Sequence, residues 1–333
     1  MTWPRGHGLA SLLAALVCTV SAAPTAAQPS APATGLQTLR IWGYGQRGQD
    51  DLGGLIRAWS AGLARLHPEL RIEATLRGDA TAIGGLYTGA AEIALMQREP
   101  LAIELDGYRS VLGEEPFMIT FATGGLDRRA RNPAPVVFVN RLNPLRRLSL
   151  SQLDGILGAD HRRGTMNIRT WGDLGLKGAW ASRPIHLYLP ALSGDMPQSL
   201  QRSVMQGSQK WTSPLREFAT GGEAVAALAR DPAGLAIAHW ADRQSAVAVV
   251  AIAALAEGPF VMPGRQALLG HEYPLARDVY FFMQRTPGQA LAPALVAWVR
   301  YVLSRAGQRA VALEGGYLPL TSERARQELA RLP

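Results

Sequence analysis

Residues 41–51 read IWGYGQRGQDD, an apolar run that passes into three glycines spaced G-x-G-x-x-G at Gly43, Gly45 and Gly48. Between a strand and a helix, such a loop can cradle the phosphates of a dinucleotide. The flanking sequence fits that placement. LRIW (39–42) reads as a strand, and residues 50–66 read as a helix with Leu52, Leu55, Ile56, Trp59 and Leu63 on one face. HPELRIEATL (67–76) breaks at His67-Pro68 and continues as a strand, residues 81–87 suggest a helix, and AEIALM (91–96) a further strand. A β-α-β-α-β order predicts a parallel sheet with covering helices. Asp50 and Asp51 count against the dinucleotide, because both carboxylates would meet a pyrophosphate head-on.

The second half has the same style. APVVFVN (134–140) reads as a buried strand, and SLSQLDGIL (149–157) as a helix capped by Ser149 or Ser151. RPIHLYL (183–189) is a strand, followed by the loop PALSGDMP and a helix from about Gln198. GGEAVAALARDP (221–232) reads as a helix and GLAIAHW (234–240) as a strand. Residues 291–316 form a long amphipathic helix or a helix pair, ended by Gly315 and Gly316. Two α/β units of similar build predict two lobes with a cleft between them, where α/β proteins commonly hold ligands.

The N-terminus carries an address. MTWPRGHG supplies a positive start, residues 9–20 a short apolar core, and SAAPTAAQPSAPATG a run of small residues. Residues 1–27 are therefore expected to be a secretory signal peptide, with cleavage after Ala27 or Ala22, and the protein is expected in the periplasm. Residues 28–38 follow as a flexible tether. The one cysteine, Cys18, lies within the apolar core, so the exported chain has neither disulfides nor thiol chemistry. The most apolar later stretch, residues 245–262, is alanine-rich and broken by Gly258-Pro259, which does not suit a membrane span.

Composition and motifs exclude more than they nominate. At 333 residues, 47% of them apolar and 18% charged, the chain has the makings of a folded globular protein. Its net charge of +8 is carried almost wholly by arginine, Lys177 and Lys210 being the only lysines. A basic surface concentrates anions near a cleft. No dense basic block with interleaved aromatics appears, so nucleic acid is not an expected partner. There is no G-x-S-x-G, H-E-x-x-H or P-loop, and His67, His161, His186, His239 and His271 are scattered. No enzyme, cofactor or metal site is expected.

A set of phrases resembles a known family, the periplasmic phosphate-binding proteins of ABC transporters, over roughly residues 39–325. They are VVFVNRLNPL (136–145), LSLSQLDGILG (148–158), RTWGDLG (169–175), YPLARDVYFF (273–282), VRYVLSRAGQ (299–308) and GGYLPL (315–320). The resemblance implies an α/β, two-lobed type II periplasmic binding protein. Each lobe is expected to be a mostly parallel sheet covered by helices, with the ligand cleft between the lobes. The implied division is lobe I from 39–125 plus 268–333 and lobe II from 126–267. It further implies a small solute, phosphate or another oxyanion, an ABC permease as partner, and a monomer.

In that family the oxyanion is held by backbone N–H groups at helix starts and by hydroxyls, in four loops. By resemblance the first falls on Gly48, Gln49, Asp50 and Asp51, eleven residues separating Gly48 from Trp59, and the G-x-G-x-x-G is then a coincidence. The second falls on Gly78, Asp79, Ala80 and Thr81, the third on Met96, Gln97, Arg98 and Glu99, and the fourth on Ser193, Gly194 and Asp195. The implied ligand set is Gln49, Asp50, Asp51, Asp79, Thr81, Gln97, Arg98, Ser193, Gly194 and Asp195.

The loops depart from the family pattern. Gln49 and Gln97 stand where hydroxyl residues are usual, Asp51, Asp79 and Asp195 put carboxylates where serine or threonine is usual, and Leu189 stands where an arginine is often found. A carboxylate about 4 Å from a bound anion costs on the order of 4 kcal/mol at an effective dielectric near 20. Asp51 and Asp195 also suit helix N-caps, where they would satisfy the donors an anion needs. Arg98 either ligates the anion or pairs with these acids. The alternative to phosphate capture is a repurposed scaffold, a sensor or interaction protein, or an acidic cleft for a cationic or zwitterionic solute.

Overall fold

The computed structural model describes residues 36–45, 52–164, 166–285 and 288–332. The expected signal peptide, and Gly48, Gln49, Asp50 and Asp51, lie outside the described residues. The first strand, β1 (Gln37–Gly43), starts two residues ahead of the expected run and buries Leu39 and Ile41. After it come α1 (Gly53–Leu63), β2 (Leu70–Leu76), α2 (Asp79–Tyr87), β3 (Ile93–Met96), α3 (Ala102–Leu112) and β4 (Phe117–Thr123). The chain then builds β5 (Pro135–Asn140), β6 (Arg147–Ser149), α4 (Leu150–Leu157), β7 (His186–Pro190), α5 (Asp195–Ser203), β8 (Leu215–Phe218), α6 (Gly221–Leu228) and β9 (Gly234–His239). The last elements are β10 (Val247–Val249), β11 (Ala251–Ala253), α7 (Arg265–Leu269), β12 (Asp278–Met283), α8 (Pro293–Leu303), α9 (Arg305–Glu314), β13 (Leu318–Pro319) and α10 (Ser322–Ala330).

Two principal sheets define the two lobes. One is six-stranded in the order β13-β4-β12-β3-β1-β2, the other five-stranded in the order β10-β5-β9-β7-β8. The chain therefore leaves the first sheet after β4, builds the second, and returns through β12. Each sheet is mixed, which corrects the expectation of mostly parallel sheets. In the first, β1 pairs β2 and β3 in parallel, whereas the pairs β12–β3, β12–β4 and β13–β4 are antiparallel. The reason lies in the crossing: β4 ends where the chain departs, β12 begins where it returns, and neighbours that share that end run in opposite directions. Their register puts Asp278 opposite Thr123 at the crossing point.

The first core is aromatic at its centre. Trp59, on the predicted apolar face of α1, meets Phe121 at 5.2 Å, Trp298 at 5.8 Å and Phe281 at 5.9 Å between ring centroids. Phe121 and Phe281 stack at 4.3 Å across the β4–β12 pair. The long C-terminal amphipathic run is a helix pair. Ser304 ends α8 and caps α9, its hydroxyl accepting the Gly307 N–H at 3.2 Å. In the second lobe Ser149 is the cap of α4, in a capping box completed by Gln152.

The opening glycines have a packing role. A Cβ on Gly43 would stand 2.6 Å from the Leu95 carbonyl oxygen, and one on Gly45 2.6 Å from the Leu76 Cβ. Neighbouring strands press on the backbone at both positions, which accounts for two of the three glycines without a phosphate.

Candidate functional site

The end of β3, the β4–β12 crossing and the starts of α5 and α6 enclose a cavity of about 480 Å³. From the first lobe and the crossing its wall takes Tyr44, Gln97, Arg131, Asn132 and Arg277, and from the second lobe Gly194, Asp195, Gly221 and His239. The β-strand ends thus deliver polar groups to a shared gap, as the alternation of strands and helices predicts.

Arg277 is the central charge. It immediately precedes β12, and its carbonyl oxygen accepts the Gly124 N–H at 2.7 Å and the Thr123 hydroxyl at 3.1 Å, which fixes its backbone to the crossing. Its guanidinium has no carboxylate within ion-pair distance among the described residues. Burial pushes its pKa down to about 10, with Asp195 and Asp79 pulling the other way. A desolvated cation without a salt bridge is costly, and an anion in the cavity would relieve it. His239, at the end of β9, is held below its ordinary pKa chiefly by burial, and Arg277 adds to the effect.

Asn132 locks the crossing behind this charge. Its backbone is left-handed, with φ of 53°. Its side-chain amide donates to the carbonyl oxygens of Gln97 at 2.8 Å and Asp278 at 3.0 Å, joining the ends of β3 and β12. Arg131 is anchored by Glu314 at 2.5 Å and lies over the Tyr317 ring at 5.9 Å.

The seven expected ligand residues that lie among the described residues divide into three groups. Gln97, Gly194 and Asp195 line the cavity. Asp195 is exposed and is the first residue of α5, three positions before the expected start; Gly194 is the cap, with no side-chain cap bond, so Asp195 does not fill the capping role. The glycine leaves the first-turn donors open toward the gap. Pro197 is tolerated there because first-turn N–H donors have no intrahelical acceptor, so its missing N–H loses no helix bond.

A second group forms a network that does not line the cavity. The Arg98 guanidinium donates to both oxygens of Glu104, at 2.7 and 2.6 Å, and lies 3.8 Å from Asp79. Arg98 is therefore committed to an internal ion pair, and its main partner, Glu104, lies six residues along the chain. Asp79 accepts the Gln97 N–H at 3.2 Å, so a carboxylate occupies one of the donors that the resemblance offers to an anion. The Gln97 side-chain amide donates to the Tyr317 hydroxyl at 2.6 Å, which spends that group as well. Thr81 turns its hydroxyl back onto the Gly78 carbonyl oxygen at 3.0 Å. Ser193, the third case, is exposed in the loop before α5 and is not part of the cavity wall.

Arg277, Arg131, Asn132, Tyr44, Gly221 and His239 are cavity residues absent from the expected ligand set. Arg277 sits inside YPLARDVYFF, a phrase that served to identify the framework, where an Arg-Asp pair in an otherwise apolar run was the available signal.

Asp79 has a titration of its own. Burial raises its pKa from 3.8 to about 6, against the opposing pull of Arg98 and the Gln97 N–H. The folded chain therefore binds this proton more tightly than the unfolded chain. The resulting stabilisation is complete below the ordinary carboxylate value and is lost as pH rises through about 6. Each tenfold in proton affinity is worth about 1.4 kcal/mol, so the effect is on the order of 3 kcal/mol. Asp79→Asn, neutral at every pH, is expected to melt higher than the parent chain at pH 7.5 and at nearly the same temperature near pH 4. Equal melting temperatures at pH 7.5 would show that the carboxylate pays no burial cost.

Comparisons with known proteins agree with this architecture. No protein-family model matches the chain. Over 287 residues the chain is 28% identical to the phosphate-binding protein PstS of Pseudomonas aeruginosa, covering 86% of this chain and 85% of that protein. The crystal structure of PstS from Borrelia burgdorferi superposes with a TM-score of 0.61 at 12% identity, covering 86% of this chain and 99% of that one. A possible phosphate binding protein from Planctomyces limnophilus superposes with a TM-score of 0.54 at 15% identity, covering 89% and 99%. Among the described residues no helix is long and apolar enough to cross a membrane. Sequence likeness over most of its length and a shared fold thus make the chain similar to phosphate-binding proteins of the PstS type.

Proposed function

We propose that the chain is the solute-binding component of a phosphate-type ABC transporter, capturing a small oxyanion, phosphate first, in the cavity between its lobes. The observation that carries this reading is Arg277: a cation with no ion-pair partner among the described residues, facing the same gap as the glycine-capped start of α5. A helix start supplies N–H donors and the positive end of the helix dipole, and an arginine supplies a planar fork for two oxygens. Binding is the proposed role rather than catalysis, since among the described residues the cavity wall pairs no nucleophile with a base.

The same reading assigns residues 1–27 to an export signal, places the protein in the periplasm as a monomer, and treats 39–125 with 268–333 and 126–267 as lobes that close on the solute. Support comes from sheet membership, because the chain passes from one sheet to the other after β4 and returns at β12. Closure would present a changed surface to a membrane permease.

Isothermal titration of the purified chain with inorganic phosphate at pH 7 tests the assignment. The expected dissociation constant lies below about 100 μM, with no heat from amines or amino acids. Binding weaker than about 1 mM would remove phosphate and favour the repurposed or cation-binding cleft. Asp195 is the cavity carboxylate that opposes an anion. Asp195→Asn is expected to tighten phosphate binding roughly tenfold, the effect of about 1.4 kcal/mol, and unchanged affinity would place this side chain away from the solute.

A further inference from the structure

A second, smaller pocket of about 180 Å³ adjoins the cleft, and the two share Gln97 and Arg277 in their walls. Its far side is formed by α5, which contributes Arg202, Ser199 and Ser203, and by Tyr280 of β12. Like Arg277, Arg202 has no carboxylate within ion-pair distance among the described residues. Both arginines are depressed below their usual range, first by burial, and Arg202 contributes to the depression of Arg277. Arg98, Glu99 and Asp278 complete the wall, and neither Arg202 nor Arg277 has a counter-ion at ion-pair distance among the described residues.

The acids nearby do not supply one. Asp278 is engaged by Arg324 at 3.0 Å and approached by His271 at 3.6 Å, Glu99 lines the pocket without an ion pair to either arginine, Asp79 and Asp195 act on both arginines from beyond ion-pair distance, and Glu104 is spent on Arg98. Ser199 and Ser203 turn their hydroxyls onto the carbonyl oxygens of Met196 and Ser199, at 2.7 and 2.9 Å, which leaves the arginines as the charged donors of the pocket.

We propose that this pocket is a second anion subsite, in which Arg202 and Arg277 hold an additional negative group of the solute. The chain would then select phosphate compounds that carry a second anionic group, condensed phosphates in particular. Arg277, common to both walls, would lie between the two groups. This inference rests on the oxyanion reading and narrows it.

Titration of the full chain with orthophosphate and with inorganic pyrophosphate, at one ionic strength, separates the two. Pyrophosphate is expected to bind about tenfold more tightly than orthophosphate, a difference of about 1.4 kcal/mol. Arg202→Gln should bring the ratio of the two affinities close to one, and Arg202→Lys, which keeps the charge, should retain part of it. A purely structural role for Arg202 would weaken both anions alike and leave the ratio unchanged, which overturns the subsite. Orthophosphate binding without any preference for pyrophosphate overturns this inference alone. Failure of both anions to bind overturns the oxyanion reading itself.

Discussion

Arg277→Ala is expected to weaken phosphate binding by a factor on the order of 100 to 1,000, about 3–4 kcal/mol. A hydrogen bond to a charged group contributes about 1.5–3 kcal/mol, and a unit charge pair at 4 Å contributes on the order of 4 kcal/mol at an effective dielectric near 20. Two neighbouring arginines cannot take over the role. Arg98 is clamped by Glu104, and Arg131 is held by Glu314. Arg277→Lys should recover part of the loss, since charge is kept while the two-pronged geometry is not. Titration calorimetry with thermal melts of each variant distinguishes lost recognition from lost fold. A folded alanine variant that binds phosphate within about threefold of the parent, less than 1 kcal/mol, would show that the cavity holds its solute without this cation.

Trp59→Ala is expected to produce the largest loss of stability, about 5 kcal/mol, at the upper end for removal of a large aromatic side chain from a core. Trp59 is fully buried, edge-packed against Phe121, Phe281 and Trp298, and its indole N–H donates to the Gly307 carbonyl oxygen at 3.0 Å. Alanine therefore leaves a cavity and removes the bond that ties α1 to α9 together. For a chain of this size the melting temperature should fall by roughly 10 °C. Trp298→Phe is the informative contrast. The Trp298 indole N–H is buried with no hydrogen-bond partner, so that replacement loses volume but no bond, and should cost far less. Similar losses for the two variants would mean that packing volume alone sets the stability of this core.

The two predictions also mark where local pattern informs and where it stops. Residues 291–316 stayed open between one helix and a pair, whereas the face of α1 could be read directly, because helical spacing is a short-range signal. Sheet direction could not, since it depends on where the chain re-enters a lobe, and β12 lies some 150 residues from the strand it joins at Asp278–Thr123. The candidate site was half legible. Its loops were found by resemblance, yet the state of each side chain is set by distant partners. Gln97 loses its amide to Tyr317, 220 residues away, and its backbone N–H to Asp79. Asp195 could be expected near the cleft, whereas its position inside the helix instead of at the cap depended on Gly194. Arg277 shows the limit most clearly: a single arginine in a framework phrase reads as framework until the fold brings it to a gap where no described carboxylate lies within ion-pair distance.

The anchoring of Arg277 to Gly124 and Thr123 has a mechanical consequence. A residue tied to the strands that link the lobes sits near the axle, and a charge on the axle travels little when the jaws swing. An arriving anion would meet its main electrostatic grip before the shell has shut, so arrest of the solute and closure over it become separable events. Mutations at the rim should then alter how long the solute stays more than how readily it is caught.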